Sequence, residues 1–231
     1  MAMRLSEVAD GVWVVEQDFE LLGVKVGLRT TVLGTDDGGV VVIGPGKLEP
    51  DEYAAIGALG PVRAVIAPNG FHHLYLRRAA AAFEGARVLA APGVAKKQPS
   101  LRVDATLGTP EVAALGVLGG GIQALSLDGA PRAAETVFFH APSRTLVVTD
   151  SLFNVADSDH WWTRTFLTLN KAYGGPSASR IFRSAIATRT AFRASVDHML
   201  AWEPQRIHMA HGALIESGGR DALARTYAWL R

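Results

Sequence analysis

The chain has 231 residues, of which 48% are hydrophobic and 19% are charged, so it can bury a substantial core. It contains no cysteine, which excludes disulfides, thiolate metal ligands and cysteine nucleophiles, and leaves His, Asp and Glu as the side chains for a transition metal. Lys and Arg number 23 against 22 Asp and Glu, and no basic run is interleaved with aromatic residues, so the sequence indicates no nucleic-acid partner.

No apolar run reaches the roughly 18 residues that would span a bilayer, and the first residues lack the apolar centre of a signal peptide. We therefore expect a cytoplasmic protein with no membrane partner. Neither a linker nor a low-complexity segment divides the chain, which predicts one domain over residues 1–231. The sequence leaves the oligomeric state open.

The N-terminal half is predicted to begin with strands and then to alternate between helices and strands. Its β-branched and apolar runs predict strands over residues 11–17, 26–35, 39–46, 62–68 and 86–92. Acidic residues at the start and a glycine at the end predict a helix over 50–60, and the alanine-rich segment 73–83 predicts a second one. A pair of histidines, His72 and His73, therefore stands where a strand ends and a helix begins.

The C-terminal half repeats this order weakly. Strands are predicted over residues 121–127, 136–142, 145–150 and 206–211, and helices over 180–186, 191–202 and 219–230. Two β-rich halves would pack sheet against sheet with helices outside, so we predict an α+β fold with a four-layer αββα sandwich. The loops that follow its strands would gather at one edge.

Several metal-competent side chains stand where predicted strands end. The pair His72 and His73 follows the strand 62–68, Asp150 ends the strand 145–150, and His211 ends the strand 206–211. Each position also has an ordinary explanation: the pair could bond to backbone at a helix start, Asp150 could be an N-cap, and His211 could cap a turn. Because the strand ends would gather at one edge of the fold, we favour the interpretation that these side chains converge on one site.

The order of elements, the hairpin that ends in Asp150 and the late pair His211-Gly212 resemble the metallo-β-lactamase superfamily, over nearly the whole chain. That superfamily carries His-x-His-x-Asp-His after a strand, where the first two histidines bind one metal and the Asp-His pair binds a second. A loop histidine completes the first site, a later aspartate bridges both metals, and a late histidine completes the second site. The resemblance implies this fold and a metal-dependent activity.

The chain departs from that motif at the first site. If His72 and His73 stand at the Asp-His positions, the two upstream positions are Pro68 and Gly70, which offer no side-chain ligand. The segment 128–139 takes the place of the histidine loop and contains no histidine. The resemblance then implies that only the second site remains, with one metal ion.

The ligands implied for that ion are His72, His73, Asp150 and His211, and the sequence resembles a branch of the superfamily in which Pro-Asn precedes a His-His pair. In this register His72 replaces an aspartate with another metal-competent residue. An alternative register places Asn69 at the first histidine position and His73 at the aspartate position. The first site is empty in both registers.

Three imidazoles and one carboxylate suit one divalent metal ion, with zinc as the first expectation and iron or manganese as alternatives. Such an ion lowers the pKa of a bound water towards about 7, which implies a hydrolase acting on a small ester, lactone, thioester or phosphoester, with Asp150 as the catalytic carboxylate. Four protein ligands would fill tetrahedral zinc, so catalysis requires five-coordination or one of the four outside the metal's coordination. The alternative is a non-catalytic protein of this fold that binds a small ligand or has a regulatory role.

Other candidates carry less chemistry. Asn69 could orient a ligand or substrate, and His160, which follows Asp150, could reach a pocket that Trp161 and Trp162 line. The absence of GxSxG argues against a serine hydrolase, and the absence of GxGxxG argues against a phosphate cradle. The remaining histidines inside predicted elements are interpreted as structural or solvated: His140, His198 and His208.

Overall fold

The computed structural model describes residues 4–230. The strands are β1 (Leu5–Ala9), β2 (Val12–Gln17), β3 (Glu20–Leu21), β4 (Val24–Lys25), β5 (Leu28–Gly34), β6 (Val40–Ile43), β7 (Val62–Ala67), β8 (Arg87–Ala90), β9 (Ala105–Thr106), β10 (Ile122–Ser126), β11 (Thr136–His140), β12 (Thr145–Val148), β13 (Phe153–Val155), β14 (Gly175–Ser177) and β15 (Arg206–Met209). The α-helices are α1 (Pro50–Leu59), α2 (Leu76–Ala82), α3 (Val94–Lys97), α4 (Pro110–Leu115), α5 (Trp161–Leu169), α6 (Arg180–Ser184), α7 (Arg189–Ala201) and α8 (Gly219–Thr226), and a 3₁₀ turn follows at Ala228–Leu230.

Two sheets carry the fold, one from each half of the chain. The first has seven strands in the order β1-β2-β5-β6-β7-β8-β9, antiparallel as far as β6 and parallel from β6 to β9. The second has four strands in the order β10-β11-β12-β15, of which only β12 and β15 pair in parallel. The parallel pairs arise because a helix separates the two strands in sequence, as α1 separates β6 from β7 and α7 separates β12 from β15.

Alternating side chains place the smaller sheet between two hydrophobic layers. On β11, Phe138 packs into the core shared with the larger sheet, whereas Val137 and Phe139 pack with the helices α6, α7 and α8. The helices α1 and α2 cover the outer face of the larger sheet through Ile56, Leu76 and Ala79. The predicted αββα sandwich is confirmed.

The helix α2 begins at Leu76, three residues later than the sequence predicts. Residues 72–75 form turns, in which the backbone N–H of His73 donates to Phe71 O (3.0 Å) and that of Leu76 donates to His73 O (3.2 Å). The histidine pair therefore lies in a turn between β7 and α2, where successive side chains point in different directions.

A small lobe beside the sandwich was not predicted from the sequence. It consists of the β3–β4 hairpin, the β13–β14 pair and α5, and its apolar cluster includes Val24, Val155, Leu167 and Ala172. Short strands of two or three residues carry too little periodicity to be recognised in a sequence. Among the described residues, no helix is both long and apolar enough to cross a membrane.

His208 is an exception among the buried side chains because neither ring nitrogen has a hydrogen-bond partner in the protein. It lies on β15 with 1% of its surface exposed, and its strand neighbours Ile207 and Met209 face the helical layer. Burial lowers the pKa of His208 to about 3, and the nearby charge of Arg29 adds to this effect. The ring is therefore neutral in the folded protein and protonated in the unfolded chain below pH about 6.5.

This difference predicts a loss of stability in acid. Between pH 7 and pH 5 the unfolded state binds a proton at His208 that the folded state does not, so unfolding becomes easier as the pH falls. From pH 7 to pH 5, we expect the free energy of unfolding of the native chain to fall by about 2 kcal/mol more than that of His208→Leu, measured by urea unfolding. The exposed His198 provides the control: His198→Leu should show no such difference between the two pH values, and an equal shift in both variants would contradict the explanation.

Candidate metal centre

Three metal-competent side chains meet at the edge of the sandwich: His72, Asp150 and His211. Their ligand atoms all lie within 4.8 Å of one another. The distance from His72 Nε2 to Asp150 Oδ2 is 3.4 Å, and that from His211 Nε2 to Asp150 Oδ1 is 3.5 Å. The two imidazole side chains are each 7% exposed, whereas the Asp150 side chain is 21% exposed, so solvent reaches the group at the carboxylate.

The fold brings these residues together because each follows the end of a strand. His72 follows β7 of the larger sheet, Asp150 follows β12, and His211 follows β15, the parallel neighbour of β12. The two sheets also touch at this edge, where the backbone N–H of Thr136 donates to Pro68 O (2.8 Å). The convergence expected from strand ends therefore occurs for three of the four predicted ligands.

The backbone fixes the tautomer of His211. Its Nδ1 lies 2.7 Å from the carbonyl oxygen of Gly27, which can only accept, so Nδ1 carries a proton. In the neutral form of the ring, Nε2 is therefore the nitrogen with the free lone pair, and it is the nitrogen that faces Asp150. Gly27 has φ +64°, a left-handed conformation that favours glycine. Phe153 stacks on the other face of the ring, with centroids 5.2 Å apart. Such a hydrogen bond is typical of imidazoles that bind metals.

Gly212 is required next to His211 because another chain segment passes against it. A Cβ at this position would collide with the backbone oxygen of Asn154. The carbonyl oxygen of Asn154 also accepts a hydrogen bond from the backbone N–H of Ala213 (2.8 Å). The His-Gly pair of the sequence thus combines a metal-competent ring with the close approach of two backbones.

A buried glutamate, which the sequence analysis missed, holds the loop that carries Asp150. Glu135 has 0% of its surface exposed and accepts hydrogen bonds from the backbone N–H groups of Thr149 (2.8 Å), Asp150 (2.9 Å) and Ser151 (2.9 Å), and from the Ser151 hydroxyl (2.7 Å). Burial raises the pKa of Glu135, and the charge of Asp150 raises it further, against these hydrogen bonds. The hydroxyl of Tyr227 donates to Ser151 O (2.6 Å) and closes the network.

The electrostatics of the centre favour a positive charge beside Asp150. Burial raises the pKa of this carboxyl, but the charge of His72 and the hydrogen bonds from His72 and His211 outweigh it, and the pKa lies well below its ordinary value. Burial lowers the pKa of His72, and the attraction of Asp150 more than compensates, so the pKa is raised. Asp150 is therefore ionised at ordinary pH and attracts a cation.

The two distances from the imidazoles to Asp150 suit a transition-metal ion. Bonds of about 2.05 Å at tetrahedral angles place two ligand atoms about 3.3 Å apart, close to the 3.4 Å and 3.5 Å between the imidazole nitrogens and Asp150. Two imidazoles and one carboxylate also form a donor set that proteins use for zinc. If these three side chains bound a zinc ion, one position would remain for water or substrate, which is the arrangement of catalytic rather than structural sites.

Comparisons with known proteins support the architecture. No family model matches the sequence, and no curated protein matches it. Among solved structures, a metallo-β-lactamase from Erythrobacter litoralis, solved with β-mercaptoethanol in its active site, has a TM-score of 0.66 at 15% identity and covers 98% of this chain and 95% of its own. The metallo-β-lactamase from Pontibacter korlensis has a TM-score of 0.64 at 13% identity, covering 98% and 97%.

The chain has the metallo-β-lactamase fold. This fold also occurs in proteins described differently, because a fragment of a putative diflavin flavoprotein from Nostoc sp. matches with a TM-score of 0.63 at 12% identity, covering 98% of this chain and 95% of its own. The likeness establishes the architecture, and the chemistry has to be argued from the side chains.

Within this metallo-β-lactamase fold, His73 does not join the cluster. Its Nδ1 lies 3.2 Å from Gln98 Nε2, and Gln98 Nε2 also lies 3.4 Å from the His73 carbonyl oxygen. Burial and the charge of Lys97 lower the pKa of His73. Of the four ligands expected from the sequence, the structure thus brings together His72, Asp150 and His211, because the turn directs His72 rather than His73 towards Asp150.

The structure also shows where the other candidate residues lie. His160 is the N-cap of α5, where its Nδ1 accepts from the Thr163 N–H (3.4 Å), so a structural role replaces the pocket role. Trp161 is exposed, and Trp162 packs in the lobe and donates to Leu22 O (3.2 Å). His140 is buried, with its ring 2.7 Å from the Ser143 hydroxyl, and agrees with its structural interpretation.

A cleft of about 740 Å³ lies beside His211 rather than around the three clustered side chains. Its lining includes Gly27, Arg29, Ala210 and Gly212. The buried Arg29 side chain donates to the carbonyl oxygens of Met209 and Gly212, and its backbone N–H donates to Ala210 O (2.9 Å). Arg29 therefore fixes the segment that carries His211 and forms part of the cleft wall.

The three-ligand arrangement predicts which histidines retain metal. We expect about one transition-metal ion per chain, measured by elemental analysis after dialysis. His72→Ala and His211→Ala should lose the ion and the thermal stabilisation that it gives, because a metal bound only by the folded state stabilises that state. His73→Ala should keep both, as should the control His198→Ala. Loss of metal in His73→Ala alone would contradict this ligand set.

The buried network predicts a stability cost at Glu135. In Glu135→Gln an amide group replaces one carboxylate oxygen and faces backbone N–H groups, which leaves at least one buried donor without an acceptor. We expect a loss of about 1–3 kcal/mol in the free energy of unfolding, measured in urea. Glu203→Gln is the control, since that side chain is 67% exposed, and it should change stability by less than about 0.5 kcal/mol. An equal loss in the free energy of unfolding of both variants would show that the loss in Glu135→Gln does not come from the buried network.

Proposed function

We propose that this protein is a hydrolase that uses one divalent metal ion, with zinc as the first candidate and iron or manganese as alternatives. The observation that carries the proposal is the group of His72, Asp150 and His211, whose ligand atoms lie close enough together to hold one ion. These three residues would serve as its ligands and would leave room for a water molecule or substrate. When bound there, such an ion would act as a Lewis acid and ionise a water molecule near neutral pH. The substrate class is a small ester, lactone, thioester or phosphoester.

The two imidazoles have the role of neutral ligands. His211 is prepared for it by the bond from Nδ1 to Gly27 O, which leaves Nε2 as the free acceptor. The stack with Phe153 restricts rotation of the same ring. His72 faces Asp150 through Nε2 from the opposite sheet, and its ring centroid lies 5.4 Å from that of His211. A bound ion would be held between the two sheets.

Asp150 is the residue proposed to act in catalysis. It is the one negatively charged member of the cluster and the most exposed, so its carboxylate would offset the charge of the ion and orient a water at the open position. Its low pKa keeps it ionised across the pH range in which hydrolases work. The backbone N–H groups of Thr149, Asp150 and Ser151 donate to Glu135 and hold the loop that carries Asp150.

The test is a panel of activated esters, thioesters, lactones and phosphodiesters assayed with the metal-loaded protein. The rate should rise with pH through roughly neutral as the water ionises. Asp150→Asn should keep the fold and lose about 100-fold or more of the rate, because the amide offers neither the charge nor the second acceptor oxygen. The readouts are initial rates together with circular dichroism of both proteins.

Two controls define the outcome. Asp197→Asn changes an exposed aspartate of α7, on the outer helical layer, and should leave the rate unchanged. The metal-free protein should be inactive and should recover on reloading. Activity that survives both metal removal and Asp150→Asn would reject the proposed centre, and metal binding without any turnover on the panel would favour a binding or regulatory protein instead.

A further inference from the structure

Asn69 occupies a fully buried position at the junction of the two sheets. It follows β7 by two residues and has 0% of its surface exposed. Its side-chain oxygen Oδ1 accepts the backbone N–H groups of Phe71 (2.8 Å) and His72 (2.9 Å). Its Nδ2 donates to Asp150 Oδ2 (2.6 Å) and to the Thr149 hydroxyl (2.9 Å). One amide thus bonds to two of the three clustered residues.

These contacts determine the orientation of the amide. Two N–H groups face Oδ1, so a reversed amide would place its own N–H₂ against two donors and its oxygen against the Asp150 carboxylate. Both hydrogens of Nδ2 and both lone pairs of Oδ1 are used in the observed orientation. Because the residue is buried, no water compensates for a lost bond, and rotation is costly.

The two ends of the amide act on different ligands. The bond from Nδ2 is a hydrogen bond to an ionised acceptor and restricts rotation of the Asp150 carboxylate, whose other oxygen, Oδ1, faces His211 Nε2. The bonds to Oδ1 of Asn69 close a turn that fixes the backbone of His72. Asn69 therefore links the carboxylate of the smaller sheet to the histidine loop that follows the larger one.

No other side chain of this size does both. An aspartate accepts from the turn but cannot donate to Asp150, a leucine does neither, and a glutamine carries the amide one methylene farther out. We propose that Asn69 is a positioning residue of the metal centre, which sets the orientation of the Asp150 carboxylate and the place of His72 at the same time. This inference rests on the proposed metal-dependent function.

The test uses Co²⁺ titration of the full chain, followed by the visible absorption of the bound ion, which reports its ligand geometry. Asn69→Ala removes both ends of the link, and we expect a dissociation constant about 10- to 100-fold weaker than in the native chain and an altered spectrum. Asn69→Ser keeps a neutral acceptor for the turn N–H groups of Phe71 and His72, but its side chain is too short to donate to Asp150. An altered spectrum in this variant therefore reports the lost contact with Asp150.

Asn170→Ala is the matched control, because that amide donates to Phe166 O (2.9 Å) at the end of α5 and should leave affinity and spectrum unchanged. Thermal unfolding of the metal-free proteins identifies any variant that fails to fold, and if Asn69→Ala fails, the comparison rests on Asn69→Ser. Native affinity and spectrum in both Asn69 variants would overturn the inference. A native spectrum in Asn69→Ser, together with an altered one in Asn69→Ala, would restrict Asn69 to the turn and would also overturn the inference. If the native chain binds no Co²⁺, the proposed function fails, which is a separate outcome.

Discussion

A carboxylate withdrawn from most of its water, at the line where two sheets meet, is the constraint on which the rest of the centre depends. An ionised carboxylate in such a place is unstable unless donors or cations surround it. The Asp150 carboxylate accepts a hydrogen bond from the Asn69 side-chain amide and faces the imidazoles of His72 and His211. The backbone N–H of Asp150 donates to the Glu135 carboxylate. Its side-chain partners arrive from β7 in one sheet and β15 in the other. The site therefore exists only when both sheets have formed and packed, and its residues form part of the connection between them.

The sequence predicts the sandwich and the neighbourhood of the centre because both depend on short-range patterns. Apolar strands and helix boundaries follow from periodicity and capping, and metal-competent residues directly after strands indicate a shared edge. The choice between His72 and His73 depends on something else. It is decided by the turn that Asn69 closes and by Gln98, which comes 25 residues later and lies against the His73 ring. A contact of that separation leaves no signal in a single sequence.

Two further residues escape sequence analysis for related reasons. Glu135 stands before an apolar strand, where a glutamate ordinarily faces solvent, and its function appears only when the Thr149–Ser151 loop folds over it. The one available signal was a carboxylate directly before the wholly buried run of β11. Gly27 acts through its carbonyl oxygen, which every residue possesses. In the sequence, a glycine at this position indicates a left-handed turn, but it does not indicate that the carbonyl oxygen binds the His211 ring.

A group of three ligands, rather than four, would change what a bound ion could do. Four protein ligands would close tetrahedral zinc, whereas three would leave a position for water or substrate. The same carboxylate that would hold the ion also attracts a proton to the His72 imidazole, whose pKa it raises. An ion at this place must therefore compete with protons for the lone pairs of the rings, and its affinity falls as the pH decreases. Asp150 is the only carboxylate of the cluster, so its orientation affects how well a metal ion competes with protons. The hydrogen bonds to Asn69 and Glu135 fix that orientation.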